Sequence, residues 1–374
     1  MFLKSVSLQS FRSFEKKNLI FSPRINLIIG PNRIGKTNAL EAICLLATGK
    51  SFRAGREEEM VKKQKETARV IGEIGQNPQQ TPQGEVLSIL LTAGQGEIKK
   101  IYKLNGVDKK WRDFAGTLLV VLFRPEDINL VLGPPAVRRD YLDSVLSQID
   151  WRYRTASLTY KKGLARRNKV LQALRRSQAQ KSQLSFWSKL ITKNGEVITQ
   201  GRTRLIDFFN QFLLAQKDNH FSEKKGKAGR LRLVYKKNNL SLGRLENNLT
   251  KEINLGMTLI GPHRDDLEFQ IRRKQLSAKA QEFKNGRDLA RYGSRGEQRM
   301  AVLQLKLAEL EFISQERDER PVLLLDDIFS ELDEKNRSLV LQAINVCQVI
   351  TTTSQPDLTL DLERNLPMKK IRLA

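Results

Sequence analysis

The first twenty-one residues alternate loosely between apolar and polar positions, with Phe2, Val6, Leu8, Phe11, Phe14, Leu19 and Phe21 on the apolar side. That spacing predicts two short strands. The run Ile25-Asn26-Leu27-Ile28-Ile29 predicts a third, more buried strand, and the segment from Asn38 to Ala47 changes to a helical pattern that ends near Gly49. Strand-like runs follow at 69–74, 86–91 and 100–104, separated by Asn77-Pro78, Thr81-Pro82, Gly94 and Gly96. Turn residues at that spacing predict an antiparallel sheet. Residues 118–123 are continuously apolar, as a buried strand is. Gly133-Pro134-Pro135 then opens a helix carrying Arg138-Arg139 and Leu142-Asp143. From about 138 to 215 the pattern is mainly helical, though too short and too irregular in its heptads for a long coiled coil. Residues 216–250 are polar and basic and read as loop-rich. Beyond Arg299 a long amphipathic helix places Met300, Leu303, Leu307, Leu310 and Ile313 on one face. The apolar strand Val322-Leu323-Leu324-Leu325 ends in Asp326-Asp327, and a last strand, 346–350, ends in Thr351-Thr352-Thr353-Ser354. No fixed-period repeat is present.

Composition adds bounds. A chain of 374 residues with 40% hydrophobic content can bury a sizeable core in one large domain or two to three ordinary ones. Cys44 and Cys347 both fall in apolar stretches, so they read as small core residues and not as a disulfide or metal site. No run of 18 apolar residues occurs, and the first residues do not form a signal peptide. A soluble, cytoplasmic protein is the expectation. The net charge of +25 is unevenly placed: residues 151–250 hold 23 Lys and Arg against 5 Asp and Glu. Such a block attracts polyanions. A membrane surface ranks lower because no helix with a strongly apolar face accompanies it.

The most specific chemistry lies between the third strand and the first helix. Gly30-Pro31-Asn32-Arg33-Ile34-Gly35-Lys36-Thr37 matches G-x-x-x-x-G-K-[ST] in a strand–loop–helix context. Glycines let such a loop curl its N–H groups around phosphate oxygens, and the helix adds its unpaired N–H groups and positive dipole end. Lys36 would reach the β- and γ-phosphates, and the Thr37 hydroxyl would ligate Mg²⁺. Arg33 stands where a small residue is common, so either its backbone is not left-handed or it accepts strain. Asp326 closes an apolar strand, as the acid of a Mg²⁺ shell does in P-loop enzymes, and Asp327 beside it can position the attacking water. Ser294-Arg295-Gly296 opens a helix, and the residues alone leave two readings open, an ordinary N-cap or a second anion-binding turn. His263 lies in Gly261-Pro262-His263-Arg264-Asp265-Asp266. A metal site there lacks a second histidine cluster, since His220 is in the polar region; a hydrogen-bonded turn near the phosphates or a dimer surface is favoured.

Lys36 and Asp326 lie 290 positions apart, and the Ser-x-Gly turn precedes the acidic strand by about thirty residues. A small G protein or nucleotide kinase keeps these parts closer. The chain resembles the RecF family of recombinational repair ATPases, whose heads are of the ABC type. The residues carrying the likeness span the chain. They are Ser10-Phe11-Arg12, the P-loop with Asn38 and Glu41, Gly49-Lys50-Ser51-Phe52-Arg53, Pro125-Glu126-Asp127, and the Arg138-Arg139 helix. The 261–266 turn, the Ser294-Arg295-Gly296 turn, the run Leu305-Lys306-Leu307-Ala308-Glu309 and the stretch from Leu324 to Asp333 complete them. Glu297 stands where the family usually has Gln, and 271–291 is long and basic.

The resemblance implies an α/β fold: a P-loop NTPase of ABC-ATPase/SMC-head type, with a mixed β-sheet lobe and an inserted, mainly helical lobe. The segments would be 1–137 (first ATPase half), 138–250 (basic helical lobe) and 251–374 (second ATPase half). It implies ATP and Mg²⁺ as ligands and an ATP-dependent homodimer. It also implies binding to duplex DNA and single-strand/duplex junctions, RecO- and RecR-type partners, help in loading RecA, and slow hydrolysis. Residues 30–38 would bind the nucleotide, Thr37 and Asp326 the Mg²⁺, and Ser294 and Gly296 the γ-phosphate of the partner's ATP. Lys36 and Asp327 would be catalytic, Thr353 would sense the γ-phosphate, and Arg53 would link DNA or the partner protomer to the nucleotide.

Overall fold

The N-terminal alternation folds as an antiparallel hairpin, β1 (Phe2–Phe11) and β2 (Phe14–Ile20), with Val6 opposite Leu19 and Phe11 opposite Phe14. The structure is a computed structural model and describes residues 1–75, 84–94, 97–216, 229–273, 286–328, 347–354 and 368–373. After the hairpin come β3 (Ile25–Ile29), α1 (Lys36–Thr48), β4 (Thr67–Gly75), β5 (Glu85–Ala93), β6 (Ile98–Leu104), β7 (Val107–Lys109), the short α2 (Trp111–Phe114) and β8 (Val120–Phe123). The three runs expected to pair antiparallel do so, in the order β2-β1-β4-β5-β6-β7. Gly72 sits inside β4 because Leu46 of α1 packs there: a Cβ would lie 2.6 Å from Leu46 Cδ1. α1 also packs against the buried strands of a second, parallel sheet, so it is apolar nearly all round and only Thr37, Asn38 and Thr48 escape burial.

The next stretch begins with α3 (Asn129–Leu132), α4 (Pro135–Ile149), α5 (Trp151–Arg175) and α6 (Gln183–Ala215). β9 (Gly229–Lys236), α7 (Leu242–Asn247), α8 (Leu249–Leu255), β10 (Asp266–Arg273), β11 (Arg287–Asp288) and α9 (Leu289–Tyr292) follow. The long α5 and α6 pack against each other, as the helical pattern predicts. Residues 216–250 read as loop-rich, but within them β9 pairs with all of β10, and its Leu231 and Leu233 are buried. Asn210 of α6 exchanges two 2.9 Å hydrogen bonds with the backbone of Leu233, tying β9 to the helix. The basic residues that mask this strand in the sequence, Arg230, Arg232 and Lys236, alternate with its apolar ones.

The chain closes with α10 (Arg295–Arg317), β12 (Val322–Asp326), β13 (Val349–Thr353) and β14 (Met368–Arg372). The strand expected at 346–350 starts at Val349, because Gln348 is an anchor and not a strand residue. Its side chain bonds Leu3 N, Leu3 O and Ser22 O at 2.7–2.8 Å. The parallel sheet runs β14-β3-β13-β12-β8, so strands from both ends of the sequence lie side by side. α10 was expected to be amphipathic with one apolar face, but residues 301–306 and 308–310 are all buried, Gln304, Lys306 and Glu309 included. Ser330-Glu331-Leu332-Asp333, His220, and the part of 271–291 between 274 and 285 lie outside the described residues.

The chain divides into two units, Met1–Asp127 with Glu309–Ala374, and Ile128–Ala308. The boundaries expected at 138 and 251 are therefore corrected. Residues 251–308 belong with the helices because β10 completes the sheet of β9, and Glu252 forms a 2.8 Å ion pair with the buried Arg167 of α5. The second unit is held by a buried ionic cluster. Arg202 of α6 bonds Asp143 at 2.8 Å and Asp265 at 2.9 Å. Tyr153 donates to Asp143 at 2.5 Å, and Tyr235 donates to Asp265. A buried charge without its partner costs about 3–5 kcal/mol, so these acids and Arg202 stand or fall together.

Gln348→Leu tests the closure of the first unit. It leaves the buried Leu3 N–H and its neighbouring carbonyls without partners, and an unpaired buried group costs about 1–3 kcal/mol. A loss of about 2–4 kcal/mol in denaturant unfolding is expected, whereas a loss under about 0.5 kcal/mol would show that Gln348 does not close the sheet.

Candidate functional site

The parallel sheet places the predicted residues of the first unit together at the carboxyl ends of its strands, where ligands bind in open α/β sheets. Thr353 pairs with Ile29, Thr352 with Ile28 and with Asp326, so the loop after β3, the acids after β12 and the threonines of β13 share one edge. Thr37 Oγ1 donates to Asp326 Oδ1 at 3.1 Å, and Thr352 Oγ1 donates to the same oxygen at 2.8 Å. The Asp327 N–H is held by Thr352 Oγ1 at 3.0 Å. Residues 289 apart in sequence thus meet in one hydrogen bond.

The loop itself is shaped by close contacts. Gly35 takes φ 114°, and a Cβ there would meet Phe14 Cζ at 2.7 Å and Ser13 Oγ at 2.9 Å. Arg33 takes φ 69°, so of the two alternatives it accepts strain, on the order of 1 kcal/mol. Its side chain and those of Pro31 and Asn32 are exposed, while Ile34 turns inward to pack against the core. Lys36 is buried and its ammonium donates to the carbonyls of Gly30 and Pro31 at 2.7 and 3.0 Å, which holds the charge inside the arc of the loop. α1 has no side chain capping its N-terminus and no acid in its first turn. Its first backbone N–H groups lack acceptors within the helix, which is the arrangement that takes an anion.

Two motifs noted in the sequence brace this loop. Glu41 of α1 is fully buried and accepts from Arg12 at 2.6 and 2.9 Å and from Ser51 at 2.5 Å. Arg53 donates to Asn38 Oδ1 at 3.2 Å, and Asn38 donates to Ser13 Oγ at 2.9 Å. Arg124 stacks its guanidinium 4.7 Å from the Phe52 ring centre and pairs with Asp127 at 3.2 Å. The polar segment after α1 is therefore pinned from both sides. Glu126, noted only as part of a motif, is a missed member of the site. β8 pairs with β12 up to Phe123 opposite Leu325, so Glu126 emerges near Asp326 and its charge acts on it. An acid just beyond a buried strand next to the acidic strand was the available signal.

Electrostatics favour a cation here. Burial raises the pKa of Asp326 above the usual aspartate range, and the charges of Glu126 and Asp327 add to this; the hydroxyls of Thr352 and Thr37 act the other way. Asp327 is raised too, first by burial, against the pull of Lys36 and a bond from the Ser354 backbone. Asp327 has φ 52°, a left-handed conformation that aspartate tolerates better than most residues. A hydroxyl and a carboxylate oxygen, both hard donors, with two further acids nearby suit Mg²⁺. Among the described residues no three His, Cys, Asp or Glu cluster as a full cation cage. Mg²⁺ is commonly held by one or two protein oxygens plus phosphates, so the sparse donor set fits it.

In the second unit, Ser294 and Glu297 form a reciprocal cap at the start of α10. The Ser294 N–H donates to Glu297 Oε2 at 2.8 Å and the Glu297 N–H to Ser294 Oγ at 3.2 Å. Glu297 thus serves as the acid of a capping box. A Cβ at Gly296 would meet nothing within 4 Å, so the turn is open to approach. The 261–266 turn is anchored instead of catalytic. His263 accepts from Tyr160 OH at Nδ1 (2.7 Å) and donates from Nε2 to Thr258 O (3.0 Å), and burial pushes its pKa down to about 4. A neutral ring with both nitrogens engaged is a turn residue, as favoured over a metal ligand.

A pH dependence follows from Asp326. Its raised pKa means that it carries a proton to higher pH than an ordinary aspartate, and a cation requires the ionised form. Binding of Mg²⁺ with a nucleoside triphosphate is expected to strengthen as pH rises above about 4, with proton release in calorimetry across buffers of different ionisation heat. Affinity that does not change with pH would contradict this.

The residues 2–372 match the family model described as the RecF/RecN/SMC N terminal domain. Among curated proteins, the chain is 35% identical to the DNA replication and repair protein RecF of Herpetosiphon aurantiacus, over 96% of this chain and 94% of that one. It is 34% identical to the protein of the same name from Ligilactobacillus salivarius, over 94% and 91%. Among solved structures, the recombination mediator protein RecF with ATP, of the RecFOR pathway, matches with TM-score 0.79 and 30% identity, over 94% and 92% of the two chains. An SMC head domain from Pyrococcus furiosus matches at TM-score 0.51 and 18% identity, which speaks for the fold alone. With an α/β head of this type and a match along nearly its whole length, the chain belongs to the RecF/RecN/SMC family and, within it, to the RecF proteins.

Proposed function

We propose that this chain is an ATP-dependent DNA-binding protein of recombinational repair. ATP with Mg²⁺ would join two copies, and the dimer would bind duplex DNA and its junctions with single strands. RecO- and RecR-type partners would then act with it to load a RecA-type recombinase. The observation that carries this reading is the 3.1 Å contact of Thr37 with Asp326 beside an uncapped α1. The likeness to RecF structures holding ATP supports the nucleotide.

The roles follow from position. The backbone of residues 30–38 cradles the phosphates, Lys36 balances their charge from inside the loop, and Thr37 with Asp326 would hold Mg²⁺, which screens the phosphate charge when bound. Ser294 and Gly296 meet the γ-phosphate of the partner copy, and Thr353 lies next to the residue that precedes the loop. Arg53, bonded to Asn38 of α1, connects an exposed cation to the nucleotide helix. Asp327 orients water as a base. It is a short acid, and its carboxylate also accepts from the Ser354 backbone. Both features limit its reach, so turnover is slow and serves release. A cytoplasmic, nucleoid-associated location accords with this role, and among the described residues no helix is long and apolar enough to cross a membrane.

Mass in solution, with and without ATP and Mg²⁺, tests the dimer. Wild type is expected to double its mass with ATP, and Lys36→Met is expected not to. ATP binding without a change in mass would remove the ATP-driven dimer from the account. Asp327→Asn separates a clamp that hydrolysis opens from a binding module in which hydrolysis is incidental. Its ATP-dependent DNA complex is expected to live at least about tenfold longer, as a loss of general base catalysis of about 10²–10⁴ would allow. An unchanged lifetime would favour the binding module.

A further inference from the structure

α5 and the first part of α6, up to residue 195, have a one-signed surface, and the exposed acids of α6, Glu196 and Asp207, come after it. Residues 151–195 contain 12 Lys and Arg and no Asp or Glu. Two of these cations are structural: Arg154 is buried and donates to Ser147 O at 2.6 Å, and Arg167 is buried against Glu252. The other ten are exposed, and among the described residues only Lys161 pairs with a carboxylate, Asp143 at 3.6 Å. Solvent-facing helices usually mix charges, because opposite charges at i and i+4 support the helix and like charges weaken it. A helical stretch without one acid from 151 to 195 gives up that support, and its field attracts a polyanion.

The same hairpin exposes an aromatic pair. Leu184 and Ile191 turn into the core and fix the rotation of α6. Phe186 is consequently left 64% exposed, with its ring edge-on to Trp187 at 4.9 Å between centroids. Lys189 and Lys193 follow Phe186 at i+3 and i+7, so the ring and two exposed ammonium groups share one helix face. A phenylalanine this exposed gains little from the chain's own packing beyond its edge contact with Trp187. Cations spaced beside an open ring match a strand that offers phosphates and bare base faces together. A duplex offers only its phosphates, because its base faces are stacked inside.

We propose that the Phe186–Trp187 pair, with Lys189 and Lys193, is a stacking platform for single-stranded DNA on the α5–α6 hairpin. It rests on the DNA-binding reading above and deepens it. The basic surface holds either form of DNA, and the aromatic pair gives the hairpin its preference for the unpaired strand. An acidic protein segment with apolar side chains is the competing occupant.

The test compares the full-length wild type with Phe186→Ala, Phe186→Leu and Phe186→Trp. The probes are an oligothymidylate of about 20 nucleotides, longer than the roughly 4–16 that one ssDNA-binding fold covers, and a blunt duplex of the same length, each with ATP and Mg²⁺. Phe186 is exposed, so these variants are expected to fold, which circular dichroism checks. One lost base stack is worth about 1–3 kcal/mol, so Phe186→Ala should weaken oligothymidylate binding by roughly 5- to 100-fold and leave duplex binding within about twofold. Phe186→Trp should restore it, and Phe186→Leu should not, because leucine keeps apolar area without a π face. The salt slope for oligothymidylate should be unchanged in Phe186→Ala and fall by about 0.7 for each of Lys189→Gln and Lys193→Gln. Oligothymidylate affinity unchanged in Phe186→Ala, with duplex bound normally, overturns the platform alone. Rescue by leucine also overturns it and assigns the pair to a protein partner. Failure of the wild type to bind either probe overturns the DNA-binding reading and the platform with it.

Discussion

The hydrogen bond between Thr37 and Asp326 is possible only because β3 and β12 are both parallel to β13 and end together. That sheet is the constraint on which the rest of the first unit depends. Its strands come from the first thirty residues, from 120–123, and from the last fifty or so. Two features at the closure hold it: Gln348 grips the backbone of Leu3 and Ser22, and Leu373 N donates to Ile29 O at 2.9 Å beside the phosphate loop. The backbone at Gly30 is tight against that last segment, since a Cβ there would lie 3.0 Å from Leu373 O. The nucleotide loop is thus built from one end of the chain and supported by the other.

A second buried arrangement organises the helical unit. Arg202 lies between Asp143 and Asp265, two residues that the sequence presents as parts of functional-looking motifs. Their charges are used to join α4, α6 and the 261–266 turn, and Arg138 on α4 fixes the start of β10 through Asp266 at 2.7 Å. Burial would push Asp143 up, yet Arg202, Tyr153 and Lys161 bring its pKa below the usual range. The acid therefore stays ionised through neutral pH, and the pair persists. With these acids engaged internally, the exposed cations of the α5–α6 hairpin face solvent almost unopposed.

Much of this was legible in the sequence where local pattern and local chemistry agree. The P-loop, α1, the antiparallel runs and the acidic strand each announce themselves within a few residues. Glu126 was harder, because its nearness to Asp326 depends on the pairing of β8 with β12, which no local spacing encodes. β9 was hidden by alternating basic residues on its open face, and the start of β13 by an apolar run that includes Gln348. The single apolar face read for α10 was too narrow: Gln304, Lys306 and Glu309 are polar residues in buried positions, and their environment is set by neighbours distant in sequence. The domain boundaries were misplaced for the same reason, since β9 and β10 meet only in the folded chain. The chemistry of P-loop enzymes linked Asp326 to the loop at Lys36, and the family resemblance supplied the trans role of Ser294 that spacing alone left open.

On the function proposed here, Thr37 and Asp326 form one half of a Mg²⁺–nucleotide site whose other half is the loop around Lys36. Its most direct test is the affinity for ATP, with and without Mg²⁺, in wild type and Asp326→Asn. Mg²⁺ is expected to strengthen binding in wild type by at least about tenfold and to change it little in the variant, as loss of the metal's main protein ligand requires. Equal strengthening by Mg²⁺ in both proteins would contradict it and place the cation elsewhere.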